Sequence, residues 1–403
     1  MTAKVHYREI VQSGTGFWGL LGFLGILLAL GLFAAYNMEH HGHWITGMNQ
    51  QIVWGTPHVF AVFLIVAASG ALNTASISSV FAKSAYKPLA RVSAFLAIAL
   101  LVGGLAVLVL DLGRPDRLIV AMTHYNFKSI FAWNIFLYTG FMAIVGVYLW
   151  WMMDPPWQKY YRVGGFFAFL WRLILTTGTG AIFGFIVARQ AFDAAIMAPM
   201  FVTFSFAYGL AILILVTMAA MKWTGRPMGD AILRRLKNLL GVFAAASLYF
   251  VIVYHLTNLY ATEHHGVERF ILLEGGIYTA LFWLGQVLVG YLLPIAIVYH
   301  PSLGKSRTAV AWASIFVILG GLAQMYVTII GGQAYPLILF PGMEISSSFH
   351  DGVVAGYTPS IYEVLLGIGG ISIALLAVTL GMKHLKLLPE SLEDEYVDPH
   401  ASS

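Results

Sequence analysis

The stretch SAFLAIALLVGGLAVLVLDLGRPDR, from Ser93 to Arg117, sets an uncharged apolar run against a knot of charges. A hydrocarbon core of about 30 Å takes roughly 20 apolar residues in helical form, so the run predicts a membrane-spanning helix over 91–110. It stops at Asp111, where Asp111, Arg114, Asp116 and Arg117 interleave two acids with two arginines around the turn formers Gly113 and Pro115. The four can neutralise one another as a structural knot, or mark a proton entry path or a docking surface.

The same reading, carried in both directions, gives further spans at 17–37, 54–81, 129–153, 164–188, 198–221, 239–260, 277–299, 308–331 and 361–382. Composition agrees: the 403 residues are 59% hydrophobic and only 10% charged, with a mean hydropathy of +0.80, far more apolar than a soluble domain. The expected fold is an all-α polytopic membrane protein of ten helices. One membrane domain covers 1–388, followed by an acidic tail over 389–403 expected to be disordered. The first run follows Lys4 and Arg8 as a signal peptide would. It is rather long for a signal core and no clear small-residue cleavage site follows, so it reads as an uncleaved span.

Lysines and arginines in short loops mark the cytoplasmic side. With the N-terminus inside, that side holds sixteen of the 22, from Lys4 and Arg8 to Lys383 and Lys386. The other side holds only Arg114, Arg117, Lys128, Arg189 and Arg269, and Arg172 lies near the first group. Both termini are therefore expected in the cytoplasm. The net charge of +4 is spread thinly and speaks for orientation, not nucleic acid. Zero cysteines exclude disulfides, thiolate-held zinc and cysteine-ligated iron–sulfur clusters within the chain. Electrons handled here have to travel on a partner or a bound small molecule.

The outer side is the chemically richer one. It holds two Glu-His-His-Gly clusters, at Glu39–Gly42 and Glu263–Gly266, the Asp111–Arg117 knot, Glu274 and the long loop from Gly332 to Ser360. His58, one turn into the second span, and His255, near the outer end of the seventh, sit close to that interface. Histidine titrates near neutrality, so either can move protons to and from a redox-active ligand, or simply tie two helices together. His264 and His265 are candidates for a proton relay, with adjacent histidines diverging too far to make a metal site the expectation. Glu274 and Tyr278, four residues apart, are expected on one helix face. Tyr357, Pro359, Tyr362 and Glu363 open the last span. In each case the carboxylate either complements a helix dipole or joins a tyrosine in relaying a proton. Asn73, Asn134, Gln286 and Gln324 lie deeper and read as interhelical hydrogen-bonding groups, with a water-lined path as the alternative.

Three motifs together resemble the NrfD/PsrC family, the integral membrane quinone-interacting subunits of iron–sulfur oxidoreductase complexes. They are WGTPHVFAVFLIVAASGA (Trp54–Ala71), DLGRPDR followed by NFKSIFAWN (Asn126–Asn134), and YTPSIYE (Tyr357–Glu363). The LGRP element is the most specific, and the resemblance covers nearly the whole chain. By length and helix number the chain is most similar to the DsrP-type branch, from the DsrMKJOP complex of dissimilatory sulfur metabolism, with the hydrogenase-linked HybB-type branch next. The resemblance implies two four-helix bundles with flanking helices in a bacterial cytoplasmic membrane. It implies a menaquinone- or ubiquinone-type head group near the outer face, a ferredoxin-like iron–sulfur partner docked there, possible further cytochrome subunits, and no activity for the chain alone. On the matching motif, His58 corresponds to a family quinone-site histidine.

Two other classes compete. A secondary transporter or proton channel would suit ten helices broken by Gly and Pro, although no acid sits clearly at mid-membrane. A haem b cytochrome would use two histidines as axial ligands, with His58 and His255 at one depth, although such ligands usually lie well inside a bundle.

Overall fold

The computed structural model describes residues 5–11, 14–337 and 352–397, so 338–351 of the long outer loop and the last six residues lie outside the described residues. Among the described residues, ten helices are long and apolar enough to cross a membrane: α1 (Thr15–His41), α2 (Thr56–Ser79), α3 (Ser84–Leu110), α4 (Ile130–Met153), α5 (Pro155–Gly184), α6 (Met197–Trp223), α7 (Asp230–Tyr260), α8 (Ile277–Tyr299), α9 (Arg307–Ala334) and α10 (Ile361–His384). Each coincides with an expected span. The cause is general: without water in the hydrocarbon, a backbone has to satisfy its own hydrogen bonds, and a helix does so within one segment.

Helices α2–α5 form one four-helix bundle and α6–α9 a second, with α2 packed against α6 at the seam. The flanking helix α10 lies against α1, α2 and α3. Burial ranks the helices: 89% of the apolar stretch of α2 is buried, against 17% of that of α1, so α2 is the axis of the molecule and α1 faces lipid.

Apolar side chains gain little by leaving lipid for one another, so close backbone packing through small residues holds such helices together. At the seam a Cβ added to Gly209 would lie 2.0 Å from the Ala71 nitrogen, so α2 and α6 touch backbone to backbone. Gly290 and Gly320 play the same part between α8 and α9.

Two helices are irregular. In α2 the ladder is interrupted at Leu72, where the Ser93 hydroxyl of α3 donates to the Ala71 carbonyl at 2.6 Å and accepts from the Ala75 N–H at 3.2 Å. In α8 the turns from Leu281 to Leu292 are widened, just after Gly276, whose φ of +59° only glycine adopts easily.

Ten crossings return the chain to the end where it began. There β1 (Tyr7–Arg8) pairs antiparallel with β2 (Leu388–Pro389), and Arg226 donates to the carbonyls of Arg8, Glu9, Leu388 and Pro389. The segment 389–403, expected to be disordered, is folded over its described part. Leu392 and Val397 are fully buried, a short helix covers Asp394–Val397, and Asp394 accepts from the Ala231 N–H at 2.9 Å. Apolar residues spaced among the acids find a surface, and the acid finds the positive N-terminus of α7.

The packing makes a direct prediction. Gly209→Leu drives a side chain into the α2 backbone and destabilises the fold by at least about 1–3 kcal/mol, as overpacking does. Gly22→Leu, on α1 with nothing within 4 Å of an added Cβ, leaves stability unchanged. Thermal unfolding of the two variants in detergent checks both.

Candidate functional site

At the end opposite the termini, three consecutive segments converge. Asp111 closes α3, His58 lies in the first turn of α2, and His43 sits in the single 3₁₀ turn (His43–Ile45) after α1. Asp111 Oδ2 lies 2.8 Å from His58 Nδ1. Asp111 Oδ1 lies 3.8 Å from His43 Nε2, and that nitrogen also bonds the Asp111 carbonyl at 3.0 Å. The carboxylate side chain is 1% exposed, whereas the imidazoles of His58 and His43 keep 20% and 26%. The acid is thus hidden behind two bases that still face outward. The His58 contact lacks the alignment of a full hydrogen bond, so both Asp111 oxygens and His58 Nδ1 retain unused bonding capacity.

Burial pushes the Asp111 carboxyl up, but its interactions with His43 and then His58 outweigh that and hold it below the usual carboxylate value. His43 is raised, chiefly by Asp111 and against its own desolvation. The cluster therefore favours a charged acid beside a protonated base.

A second node lies beside it. Glu363 is fully buried at the start of α10. Its Oε2 accepts from the N–H groups of Gly47 (2.8 Å) and Ser360 (2.7 Å), and its Oε1 from the Tyr357 hydroxyl (2.6 Å). The Tyr357 oxygen in turn accepts from the Thr56 N–H at 2.7 Å and meets the Thr56 hydroxyl at 2.8 Å. Burial, then Glu363, raises the Tyr357 phenol well above its ordinary value. Glu363 makes a capping box with Ser360, so its dipole role is real, yet its other oxygen reaches the entry of α2 two residues from His58. Gly55 keeps this passage open, since a Cβ there would lie 2.3 Å from Glu363 Oε1.

The loop carrying Trp54 is clamped by Gln333 at the end of α9 and by Arg189 of the α5–α6 connection. The Gln333 side chain accepts from the N–H groups of Val53 and Trp54 at 3.0 Å and donates to the Trp54 carbonyl at 2.9 Å. Arg189 joins the carbonyls of Gln51 (2.7 Å) and Gln333 (2.8 Å). Trp54 then stands in an aromatic wall with Phe131, Phe183 and Phe192, its ring centroid 6.0 Å from that of His58.

The second bundle holds its own pair. His255 Nδ1 lies 2.7 Å from Glu268 Oε2, and Asn258 donates to Glu268 Oε1 at 2.8 Å. Glu268 is 1% exposed and borders a cavity of ≈40 Å³ shared with Gln286 and Gln324. Gln324 Oε1 accepts from the buried hydroxyls of Tyr208 and Tyr291. Tyr278, also buried, is linked to the Glu363 node by ring contacts through Tyr326 to Tyr357, with centroids 6.1 and 6.3 Å apart.

Several expectations are corrected. The Asp111–Arg117 knot is divided: Asp111 turns inward to the histidines, while Arg114 and Asp116 pair with each other on the surface at 3.0 Å. Glu274 pairs with Arg269 at 2.6 Å, both exposed. The helix is broken between Glu274 and Tyr278 at Gly275 and Gly276, so the two do not share a face. His264 and His265 bond the carbonyls of Gln190 and Leu259, both at 2.9 Å, and neither contacts the His58 cluster. Among the described residues, His58 and His255 have no partner in common, and no group of three or more His, Asp or Glu could hold a metal ion.

Sequence alone does not single out His43, Glu268, Gln333 and Arg189. His43 stands one residue past the first Glu-His-His-Gly cluster, and Glu268 two past the second, but nothing local distinguishes them from exposed loop residues. Their partners are distant in sequence.

The raised His43 pKa has a definite sign. Its pairing with Asp111 contributes stability that is complete below the unfolded value of about 6.5 and is lost as pH rises through the higher folded value. Asp111→Asn therefore brings the His43 titration, followed by NMR of labelled histidine, down to the ordinary value or below, and removes that pH dependence of unfolding.

Comparison with known proteins places this geometry in a family. The polysulphide reductase NrfD family matches residues 44–336. The chain is 28% identical to an Hdr-like menaquinol oxidoreductase integral membrane subunit of Archaeoglobus fulgidus, covering 98% of this chain and 99% of that one. It is 27% identical to a protein of Halobacterium salinarum provisionally named as a dimethyl sulfoxide reductase membrane subunit, covering 94% of each. It is 22% identical to a selenate reductase subunit of Mesobacillus selenatarsenatis, covering 90% and 92%. The match runs from the turn of His43 through both bundles to Gln333, and the chain belongs to the polysulphide reductase NrfD family, as a multi-pass integral membrane protein.

Proposed function

We propose that the chain is the quinone-binding membrane subunit of an oxidoreductase complex, with the quinone head group received at His58, Asp111 and His43. The observation that carries the reading is the Asp111 carboxylate, buried at the membrane edge between two imidazoles and with hydrogen-bonding capacity unspent. A quinol losing two electrons also loses two protons, and acceptors close to neutrality are needed where its head group sits. His58 Nδ1 faces Asp111, which leaves Nε2 for a quinol hydroxyl. A proton taken there passes by way of Asp111 to His43, which reaches the exterior. Tyr357, its hydroxyl held by Glu363 and Thr56, fixes the same helix entry, and the Trp54 wall supplies an apolar face for a ring.

Electrons leave to an iron–sulfur subunit at the same face. Support comes from the absence of cysteine in the chain and from apolar residues exposed there outside the spans, among them Trp44 (80%), Phe127 (65%) and Leu273 (74%). The charge split of the loops supports reading this face as the outer one, with both termini cytoplasmic. A menaquinone-type substrate is favoured by the name of the Archaeoglobus relative. Service in dissimilatory sulfur metabolism rests on the DsrP resemblance alone, because the terminal substrate is chosen by partner subunits. The transporter reading is disfavoured by the position of the acids: the buried carboxylates of the described residues, Asp111, Glu268 and Glu363, all lie toward one end of the bundles.

The test is quinol-dependent reduction of the copurifying partner's cluster, followed optically. His58→Ala lowers the rate by about 100-fold or more, the usual worth of a positioned acid–base group. Tyr357→Phe lowers it less. Glu274→Gln, which breaks only a surface pair, leaves it within about twofold. Unchanged rates in His58→Ala and Asp111→Asn overturn the assignment.

A further inference from the structure

A further cavity lies at the other end of the molecule. It measures ≈690 Å³, within the range of clefts that enclose most of a bound molecule. Phe63, Leu64 and Leu100 form its floor, and Phe17, Trp223 and Met382 stand at its mouth. Along α6 the lining runs from Ile212 to Thr224 and along α10 from Ile371 to Met382. At a rise of 1.5 Å per residue these walls are about 18 and 16 Å deep, close to half of a hydrocarbon core of about 30 Å. The crevice is one leaflet deep, in the leaflet away from His58.

Its wall suits hydrocarbon. The two lining hydroxyls are spent on their own helices, Thr224 on the Ala220 carbonyl and Thr379 on the Leu375 carbonyl, both at 2.7 Å. On the α1 side the crevice is lined partly by glycine, and a Cβ added to Gly16 would meet nothing within 4 Å. The rim is cationic. Lys222 precedes Trp223, and Lys383 follows Met382 with its ammonium 4.3 Å from the Trp18 ring and 4.9 Å from that of Phe17. Against these stands one acid next to a lining residue, Glu9 before Ile10.

We propose that this crevice holds the acyl chains of an anionic phospholipid from the leaflet on the terminal side, with its phosphate at the Lys222–Lys383 rim. A long hydrocarbon tail alone would suit a quinone equally well. The depth of one leaflet and the pair of rim cations select the lipid, since basic sites of this kind attract anionic head groups. The lipid fills the space that the glycines of α1 leave open, and so joins α1 and α10 to α6 without protein contact.

The full chain, purified with its natural partners, is equilibrated with phosphatidylglycerol or phosphatidylcholine, washed with detergent, and its retained lipid is measured by mass spectrometry. Wild type retains phosphatidylglycerol stoichiometrically and prefers it by about thirtyfold, the scale set by two rim cations. The double variant Lys222→Gln, Lys383→Gln loses the preference. Ala219→Trp, which fills the crevice from an exposed position, loses the lipid, and Gly16→Leu does the same from α1 should the tryptophan variant fail to fold. Retention unchanged by both filling variants, equal retention of the two lipids, or recovery of a quinone displaced by Ala219→Trp overturns the proposal.

Discussion

A carboxylate buried at the edge of a membrane governs this end of the molecule. Removing a charge from water costs several kcal/mol per ion unless a partner compensates it. Asp111 is compensated by His43 and His58, which arrive from the exit of α1 and the entry of α2 while Asp111 itself closes α3. One contact set thus fixes three consecutive segments. Because histidine is the side chain whose unperturbed pKa lies nearest neutrality, the same set suits the proton exchange proposed for it at the membrane edge. The group that shapes the site is the group that gives it chemistry.

The two ends of the bundles treat charge differently. Toward the site end, the buried acids Asp111 and Glu268 pair with histidine, and Glu363 binds backbone N–H groups and a tyrosine. At the terminal end, cations are spent on carbonyls and rings: Arg226 holds four carbonyls, and Arg91 reaches those of Met152 and Lys386 beneath the Tyr7 ring. Between them, buried Arg172 lies among the Phe169 and Phe206 rings, its guanidinium 5.0 and 5.1 Å from their centroids. Histidine-paired acids at one end and cations bound to carbonyls and rings at the other suit the first to the proposed proton exchange and the second to holding the termini in place.

The ten spans were legible because a helix in lipid has to be apolar along its whole length, a constraint written locally in the sequence. His58 was legible for the converse reason, as a costly polar group inside such a run. The partner assignments were not. Asp111 looked like one member of a charge knot because its neighbours along the chain are arginines, whereas its actual partners stand 53 and 68 residues away. Glu274 and Tyr278 were separated by a glycine pair that breaks the helical period, so spacing alone misled. Glu268 resembled any loop acid until tertiary packing carried it beneath His255. The tail acids suggested disorder because composition averages away the few apolar residues that dock, Leu392 and Val397.

The two bundles each own an imidazole–carboxylate pair, yet the pairs are not equivalent. His58 keeps 20% of its side chain open beside the Trp54 wall, whereas His255 keeps 13%, packed edge-on against Tyr254 and Phe282 beside a cavity of only ≈40 Å³. A cavity of that size suits water and not an aromatic head group. This favours the first bundle for the ring-sized ligand of the proposed function. The second acts on it through contacts: Gln333 holds the Trp54 loop together with Arg189 of the α5–α6 connection, and the Tyr278–Tyr326–Tyr357 series meets the hydroxyl that Glu363 and Thr56 fix. The second bundle thus helps to support the site at the edge of the first, and the family match over residues 44–336 spans both bundles.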